Sequence, residues 1–466
     1  MELKYKNLLS NSAWTIIGNA GGKLLNFLML PLYTRLLGTA GFGETDLVLT
    51  YSSILMYVLT VCISESIFVF TKKEDEDRKK VFFTTSFLFV LLLLIAWTCI
   101  WFLLGIVIDN NDIHNSFTDN FWLILGVIVS TFFQQYTQQF ILSLNKIKLY
   151  STTGIIQCLL TALLSYFLII SMGVRGYIWA IIAANSLTTI YTFVLSKLYN
   201  YLCISLFDSV CLRELLRYSI PLIPNGIMWW LVSAMNRPIM EHNLDYSAIG
   251  IFAVANRFPS VVTMVFAVFS VAWNVSVFEE FGNDSFKFFY RKVFNVLFLF
   301  LLFISCGMIT SSEIVISIFA STEFYDAWKY MIVLIISAFF SCLSSFFGTN
   351  FGVVKKSKYF FYSSLWGASS SIILNILLIP KYGLWGASFS VLISFFVMMF
   401  SRYYYNKKFI QVNLLWPIIK MTIVLFISMA STYSIHNMPF RYILVLFIYF
   451  SFFHKDIRKA ISRIKA

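Results

Sequence analysis

Charge is what this chain has least of: Asp, Glu, Lys and Arg make up 12% of its 466 residues, where soluble domains carry about 25%. Too few polar residues remain to clothe a soluble surface of that size. Histidine and cysteine are sparse too, at 4 and 7. His114, His242, His436 and His454 lie far apart in loops or at span ends, without an HExxH spacing. Cys62, Cys99, Cys158, Cys306 and Cys342 fall inside apolar stretches, Cys203 and Cys211 flank a loop, and none forms a CxxC pair. Neither a metal centre nor a disulfide framework is indicated, and the cysteines read as small apolar packers. Long polar stretches are missing as well. The longest, 109–120 and 199–214, are too short to house a globular catalytic domain. No catalytic constellation emerges, no cofactor is expected, and any action must take place within the apolar part of the chain.

That part is large: 59% of the residues are apolar and 19% aromatic. They fall in blocks of about 20, the length that crosses roughly 30 Å of hydrocarbon as a helix. Six spans are expected at 12–34, 46–70, 81–108, 121–144, 150–172 and 176–198, and six more at 215–237, 250–278, 293–317, 330–354, 359–379 and 384–405. A terminal pair follows at 414–431 and 440–453, the last short enough to be re-entrant. No small-residue cleavage pattern follows the basic start, so the first span reads as retained.

Basic residues set the orientation. With a cytoplasmic N-terminus, Lys4, Lys6, Lys72, Lys73, Arg78, Lys79, Lys80, Lys146, Lys148, Lys355, Lys356, Lys358, Arg402, Lys407 and Lys408 gather on the inner side. The outer loops hold few bases (Arg35, Arg175, Lys329, Lys381, Arg441) and more acids, among them Asp109, Asp112, Glu241 and Asp245. The net charge of +13 is thus spread over every inner loop and needs no nucleic-acid partner. The basic tail, from Lys455 to Lys465, is cytoplasmic only after an even number of crossings, which favours fourteen spans over thirteen.

An internal repeat divides the chain. Gly41-Phe42-Gly43 before the second span matches Ala248-Ile249-Gly250 before the eighth; Lys146-Ile147-Lys148 matches Lys356-Ser357-Lys358; Gly173-Val174-Arg175-Gly176 matches Gly383-Leu384-Trp385-Gly386. All three share a spacing of about 210 residues, the mark of a duplicated transporter half. Six spans per half is an even number, so both copies face the same way. The expectation is an all-α polytopic membrane protein of two six-helix bundles, 1–200 and 201–408, in parallel pseudo-two-fold repeat, with a helix pair and basic tail over 409–466.

Polar residues inside the spans say what such bundles enclose. Thr15, Asn19, Lys23 and Asn26 recur on one face of the first span. A lysine at the middle of a span costs about 2.5–3.5 kcal/mol on insertion scales and is a functional candidate by default; it asks for an anion. The seventh span carries Asn225, Trp229, Asn236 and Arg237 after Pro221 and Pro224, and the eighth Asn256, Arg257, Trp273 and Asn274. The clearest intramembrane acid is Glu65. Lys23 lies roughly 16 Å deep and Glu65 roughly 8 Å, so they pair only through tilt or stretched side chains. Arg237 and Arg257 either serve the same anion or snorkel toward Glu241 and Asp245. Lys420 has no polar companions in its span. The fourth span adds Gln134, Gln135, Gln138 and Gln139 beside Tyr136, and its repeat counterpart Ser344, Ser345, Thr349 and Asn350. These groups suit a sugar's rim and apolar faces, or else bridge neighbouring helices.

The stretch from Asn11-Ser12-Ala13-Trp14 through Pro31-Leu32-Tyr33-Thr34-Arg35-Leu36-Leu37-Gly38 and Gly41-Phe42-Gly43 resembles the opening of bacterial polysaccharide flippases. These are the O-antigen and teichoic-acid exporters of the multidrug/oligosaccharidyl-lipid/polysaccharide superfamily. The likeness continues through Ile249-Gly250-Ile251-Phe252-Ala253-Val254-Ala255-Asn256-Arg257, Ala272-Trp273 and the glycine pairs opening the sixth and twelfth spans. Family members often carry Asp-Arg where this chain has Asn236-Arg237, so Arg237 lacks that acidic neighbour.

The resemblance implies translocation of an undecaprenyl-pyrophosphate-linked oligosaccharide, an O-antigen or capsule repeat unit, across a bacterial inner membrane by alternating access. Lys23, Arg257 and Arg237 would then contact pyrophosphate, and Asn19, Asn26, Gln134, Gln138, Trp273 and Asn274 the glycan. Membrane lipids surround such a protein, and a polysaccharide polymerase and chain-length regulator are its implied partners. Two rival classes are a multidrug or cation antiporter, which would favour buried acids over bases, and a membrane glycosyltransferase or polymerase, for which the outer loops are short.

Overall fold

The computed structural model describes residues 27–110, 114–281, 285–354, 356–410, 415–435 and 437–464. Most of the first expected span, with Asn19, Lys23 and Asn26, lies outside the described residues. Among those described, the elements are α-helices and short 3₁₀ turns, as a membrane core requires when backbone groups must find partners within their own segment. The chain divides into two compact units, Met1–Trp230 and Leu231–Ala466.

The first unit contains α1 (Leu30–Leu59), α2 (Ile63–Thr71), α3 (Glu76–Asn110), α4 (Ser116–Asp119), α5 (Phe121–Ser143), α6 (Ile147–Leu195), α7 (Ser209–Ser219) and the start of α8 (Leu222–Ser233). The second continues with α9 (Asn236–Asn243), α10 (Tyr246–Arg257), α11 (Ser260–Glu280), α12 (Phe286–Thr310), α13 (Ser312–Phe319), α14 (Ala327–Val353), α15 (Ser357–Asn406), α16 (Leu415–Ser434) and α17 (Met438–Ile464). Seven of the described helices are long and apolar enough to cross a membrane, and the bent α1–α2 pair makes eight. Two of them, α6 and α15, each run through a pair of expected spans.

The duplication is visible in the backbone. Continuous α6 bends at Gly173 (φ 56°, ψ −130°) and α15 at Gly383 (φ 55°, ψ −128°). A positive φ there suits glycine, which has no Cβ to clash. Three residues on, a Cβ at Gly176 would overlap the Leu168 carbonyl oxygen, and one at Gly386 the Leu378 oxygen. In both copies one glycine makes the bend and the next lets the backbone pass close to itself.

The seventh expected span, 215–237, is not one helix. It is cut into α7, α8 and α9, the first break falling at Pro221, whose ring and missing N–H oppose a continuous helix. Asp208 caps α7 by accepting from the Val210 N–H at 2.8 Å. The last expected span, 440–453, lies within the longer α17.

In the first unit α5 packs against α6, α1 and α2, while α7 packs against α2 and α3. Its core is aromatic, with Phe83 and Phe140 rings 4.3 Å apart and the Tyr136 hydroxyl 2.7 Å from Ser86 Oγ. In the second unit α14 is the central helix, touched by α10, α11, α12, α13 and α15. Two arginines counted by sequence with the flanking loops are buried there. Arg402 donates to Ser363 Oγ (3.2 Å), Ser344 O (3.1 Å) and Ser364 Oγ (3.2 Å), and covers the Phe360 ring. Arg441 donates to Glu313 Oε2 at 2.9 Å and to the Thr310 and Ile435 carbonyls.

Candidate functional site

The first unit encloses a cavity of about 380 Å³ between α1, α2 and α5, within the range of small-molecule sites. It lies where α1 gives way to α2. Val61 and Cys62 both take left-handed conformations (φ 53° and 52°), and the two helix axes meet at 56°. For a β-branched residue such as Val61 this conformation is an outlier, and strain of that kind collects at functional sites. The break turns Glu65, in the first turn of α2, onto the cavity wall, where its side chain is exposed.

The rest of the wall is mixed. Leu49, Met56, Val127 and Ile128 are apolar, whereas Ser52, Ser53, Thr60, Ser64, Thr131 and Gln135 are polar, with Tyr57 and Cys62 beside them. Several hydroxyl protons are already spent on the helix. Ser52 Oγ donates to the Val48 carbonyl (2.8 Å), Ser53 Oγ to Thr50 (2.7 Å) and Thr60 Oγ1 to Met56 (2.7 Å). Ser53 also accepts from Trp230 Nε1 at 3.1 Å. A hydroxyl has one proton and two lone pairs, so Ser52 and Thr60 keep accepting capacity. Gly226 of α8 lets Tyr57 come close, since a Cβ there would stand 2.6 Å from its ring.

Behind the wall runs a chain of amides. Thr131 Oγ1 accepts from Asn185 Nδ2 (3.0 Å), Asn185 Oδ1 from Gln157 Nε2 (2.7 Å), and Gln157 Oε1 from Gln134 Nε2 (2.9 Å). Each link ties α5 to α6 or one half of bent α6 to the other, and together they fix Thr131. Gln134 is therefore a buried link in this chain, and Gln138 donates to Thr153 Oγ1 at 3.4 Å. Of the four glutamines on this helix, Gln135 lines the cavity.

The other sequence candidates lie in the second unit. Arg237 is buried on α9; its Nη1 donates to the Ser233 carbonyl (2.7 Å) and to Asn236 Oδ1 (3.0 Å), and its guanidinium covers the Phe252 ring. The asparagine thus serves as the neighbour that an aspartate would be. Arg257 ends α10 with an exposed side chain. Trp273 is buried and stacked on Phe346, with centroids 4.6 Å apart, so aromatic packing already occupies it. Asn274 is exposed and accepts from Thr349 Oγ1 at 3.3 Å. Among the described residues no three His, Cys, Asp or Glu side chains gather as a metal site.

Sequence reasoning singled out Glu65 as an acid inside a span but missed the cavity around it. Ser52, Met56 and Thr60 share one helix face, a four-residue spacing that was legible. The left-handed pair at Val61–Cys62 was not, because neither residue type favours it.

Solved structures share this fold. The inward closed conformation of the lipid II flippase MurJ matches over 97% of this chain and 100% of its own, at 14% identity and TM-score 0.70. The inward-facing conformation of a multidrug resistance MATE family transporter of the MOP superfamily matches over 84% and 97%, at 12% identity and TM-score 0.65. A MOP superfamily transporter from Pyrococcus furiosus, described as having a binding pocket of reverse polarity, matches over 85% and 94%, at 12% identity and TM-score 0.59. The fold is that of multi-pass membrane transporters of the flippase and multidrug type. Among curated proteins no match is found. The family model described as polysaccharide biosynthesis protein matches residues 8–274, more than half of the chain, and the protein belongs to that family.

Proposed function

We propose that the protein is a flippase that moves an undecaprenyl-pyrophosphate-linked oligosaccharide, an O-antigen or capsule repeat unit, from the inner to the outer leaflet of the bacterial cytoplasmic membrane by alternating access. The observation that carries this reading is the cavity of about 380 Å³ in the first unit, walled by hydroxyls, an amide, a tyrosine ring and the Glu65 carboxylate among apolar helices. Such a wall wets a glycan among apolar helices, which suits passage of the molecule through the membrane. Ser52, Thr60, Gln135 and Tyr57 are its glycan contacts in the first unit. Lys23, with Arg257 and Arg237, supplies the positive charge for pyrophosphate, and Asn19, Asn26 and Asn274 supply further polar contacts. Both termini face the cytoplasm, and a polymerase and chain-length regulator act on the delivered unit.

Leaflet exchange of a fluorescent lipid-pyrophosphate oligosaccharide in proteoliposomes tests the reading. Lys23→Ala should slow exchange by about tenfold or more, the loss of one charge-assisted contact. Normal exchange in that variant removes Lys23 from the mechanism. Glu65 favours a second reading, cation antiport, because a carboxylate in a cavity attracts positive charge. Ethidium efflux by the same vesicles, with no exchange of any glycan lipid, would select it.

A further inference from the structure

Among the described residues, the cavity in the first unit has a polarity of its own, set by a carboxylate and hydroxyl lone pairs. Among the described residues its titratable lining groups are Glu65, Tyr57 and Cys62, and no lysine or arginine is among them. The neutral polar groups lean the same way, because Ser52, Ser53 and Thr60 have given their protons to carbonyls of α1. Ser52 and Thr60 therefore meet a guest with lone pairs. Thr131 accepts from Asn185 and keeps its own proton, and the Gln135 amide offers both donor and acceptor. Glu65 is the one carboxylate among these described lining groups, and Ser52 and Thr60 add lone pairs to the same wall.

We propose that this cavity is a sugar-selecting site: it admits an oligosaccharide whose residue there is neutral or bears an ammonium group, and discriminates against uronic and other acidic sugars. This rests on the flippase reading and names the substrate class that the reading leaves open. A sugar hydroxyl or ammonium brings donors to the Glu65, Ser52 and Thr60 oxygens. A uronate brings an acceptor-only group, which gains nothing from the Ser52 and Thr60 lone pairs and meets the like charge of the Glu65 carboxylate in the same cavity. Glu65 is the specificity-determining residue, with Ser52 and Thr60 fixing the acceptor character.

The test uses the full chain in liposomes and three fluorescent polyprenyl-pyrophosphate trisaccharides that differ in one sugar: glucose, glucosamine or glucuronic acid. Wild type should exchange the glucose and glucosamine lipids at similar rates and the glucuronate lipid about tenfold more slowly at low salt. The gap should narrow as ionic strength rises. Glu65→Gln should bring the glucuronate-to-glucose rate ratio to within about threefold of unity, and Gln135→Glu should widen it beyond tenfold. Equal wild-type rates for the three lipids, or a ratio unmoved in both variants, overturn the proposal.

A transport-independent measurement separates its failure from that of the flippase reading. Free glucosamine and glucose should raise the thermal unfolding temperature of the detergent-solubilised protein, and glucuronate should not; stabilisation by all three, or by none, overturns the site. If the free sugars discriminate as stated while no lipid exchanges, the flippase reading falls and the site's selectivity stands.

Discussion

Arg402 and Arg441 lie at span ends in the sequence, yet their side chains are 0% and 1% exposed. A guanidinium carries five donors in a fixed fork, and both arginines use that fork to gather helix ends and hydroxyls. Arg441 reaches Glu313, which opens α13, together with the Thr310 carbonyl at the close of α12. Its burial is tolerable because a charge and several carbonyls share it. Glu313→Gln keeps the shape and removes the charge, leaving the guanidinium with carbonyls alone. The expected cost is about 2–4 kcal/mol of stability, read as a lower unfolding temperature in detergent, whereas Lys329→Gln at its exposed pair with Asp326 should change little. Neither buried arginine was legible in the sequence, because a basic residue near a span end looks the same whether it turns toward water or toward the bundle.

Bends and breaks are where the helices depart from an apolar pattern. Gly173 and Gly383 announced themselves through repeated glycine motifs, and the conformational reason is local: a positive φ followed by a close backbone approach. Gly176→Ala and Gly386→Ala should each destabilise by about 1–3 kcal/mol, since each places a methyl into a carbonyl oxygen. Gly307→Ala, where a new Cβ meets nothing within 4 Å, should be neutral or stabilise by up to about 1 kcal/mol. Thermal unfolding of the three variants side by side checks the contrast. The α1–α2 break is the harder case, because only tertiary context holds Val61 in a left-handed well. Cutting the helix there also creates two extra ends inside the membrane. The N-terminal end of α2 bears partial positive charge, and Glu65 in its first turn is offset by that field. That end gives the carboxylate a favourable backbone field, and among the described residues no basic side chain lines the cavity beside it.

Among the described residues most apolar blocks fall on long helices, because hydrocarbon thickness sets the length of a crossing, while the seventh block is broken into three. Hydropathy says nothing, however, about what each crossing touches. The most apolar 18-residue stretch of α14 is 89% buried in protein and that of α3 only 17%, though both read as lipid-soluble. Phe347 on α14 is fully buried and Phe102 on α3 is 57% exposed. Phe347→Ala should cost about 3–5 kcal/mol, the price of a cavity that neighbours fill poorly. Phe102→Ala should cost well under half of that, because an acyl chain flows into the space; unfolding temperatures in lipid nanodiscs compare the two. Helix α14 exchanges lipid neighbours for protein ones as the bundle closes, and water leaves neither side of that exchange. The hydrophobic effect contributes little to such a step, and what remains is dispersion between well-fitted surfaces. A chain with 50 phenylalanines is equipped for that: its flat rings, such as Phe346 against Trp273 and Phe294 against Phe347, bind helices by contact area where exclusion of water has no grip.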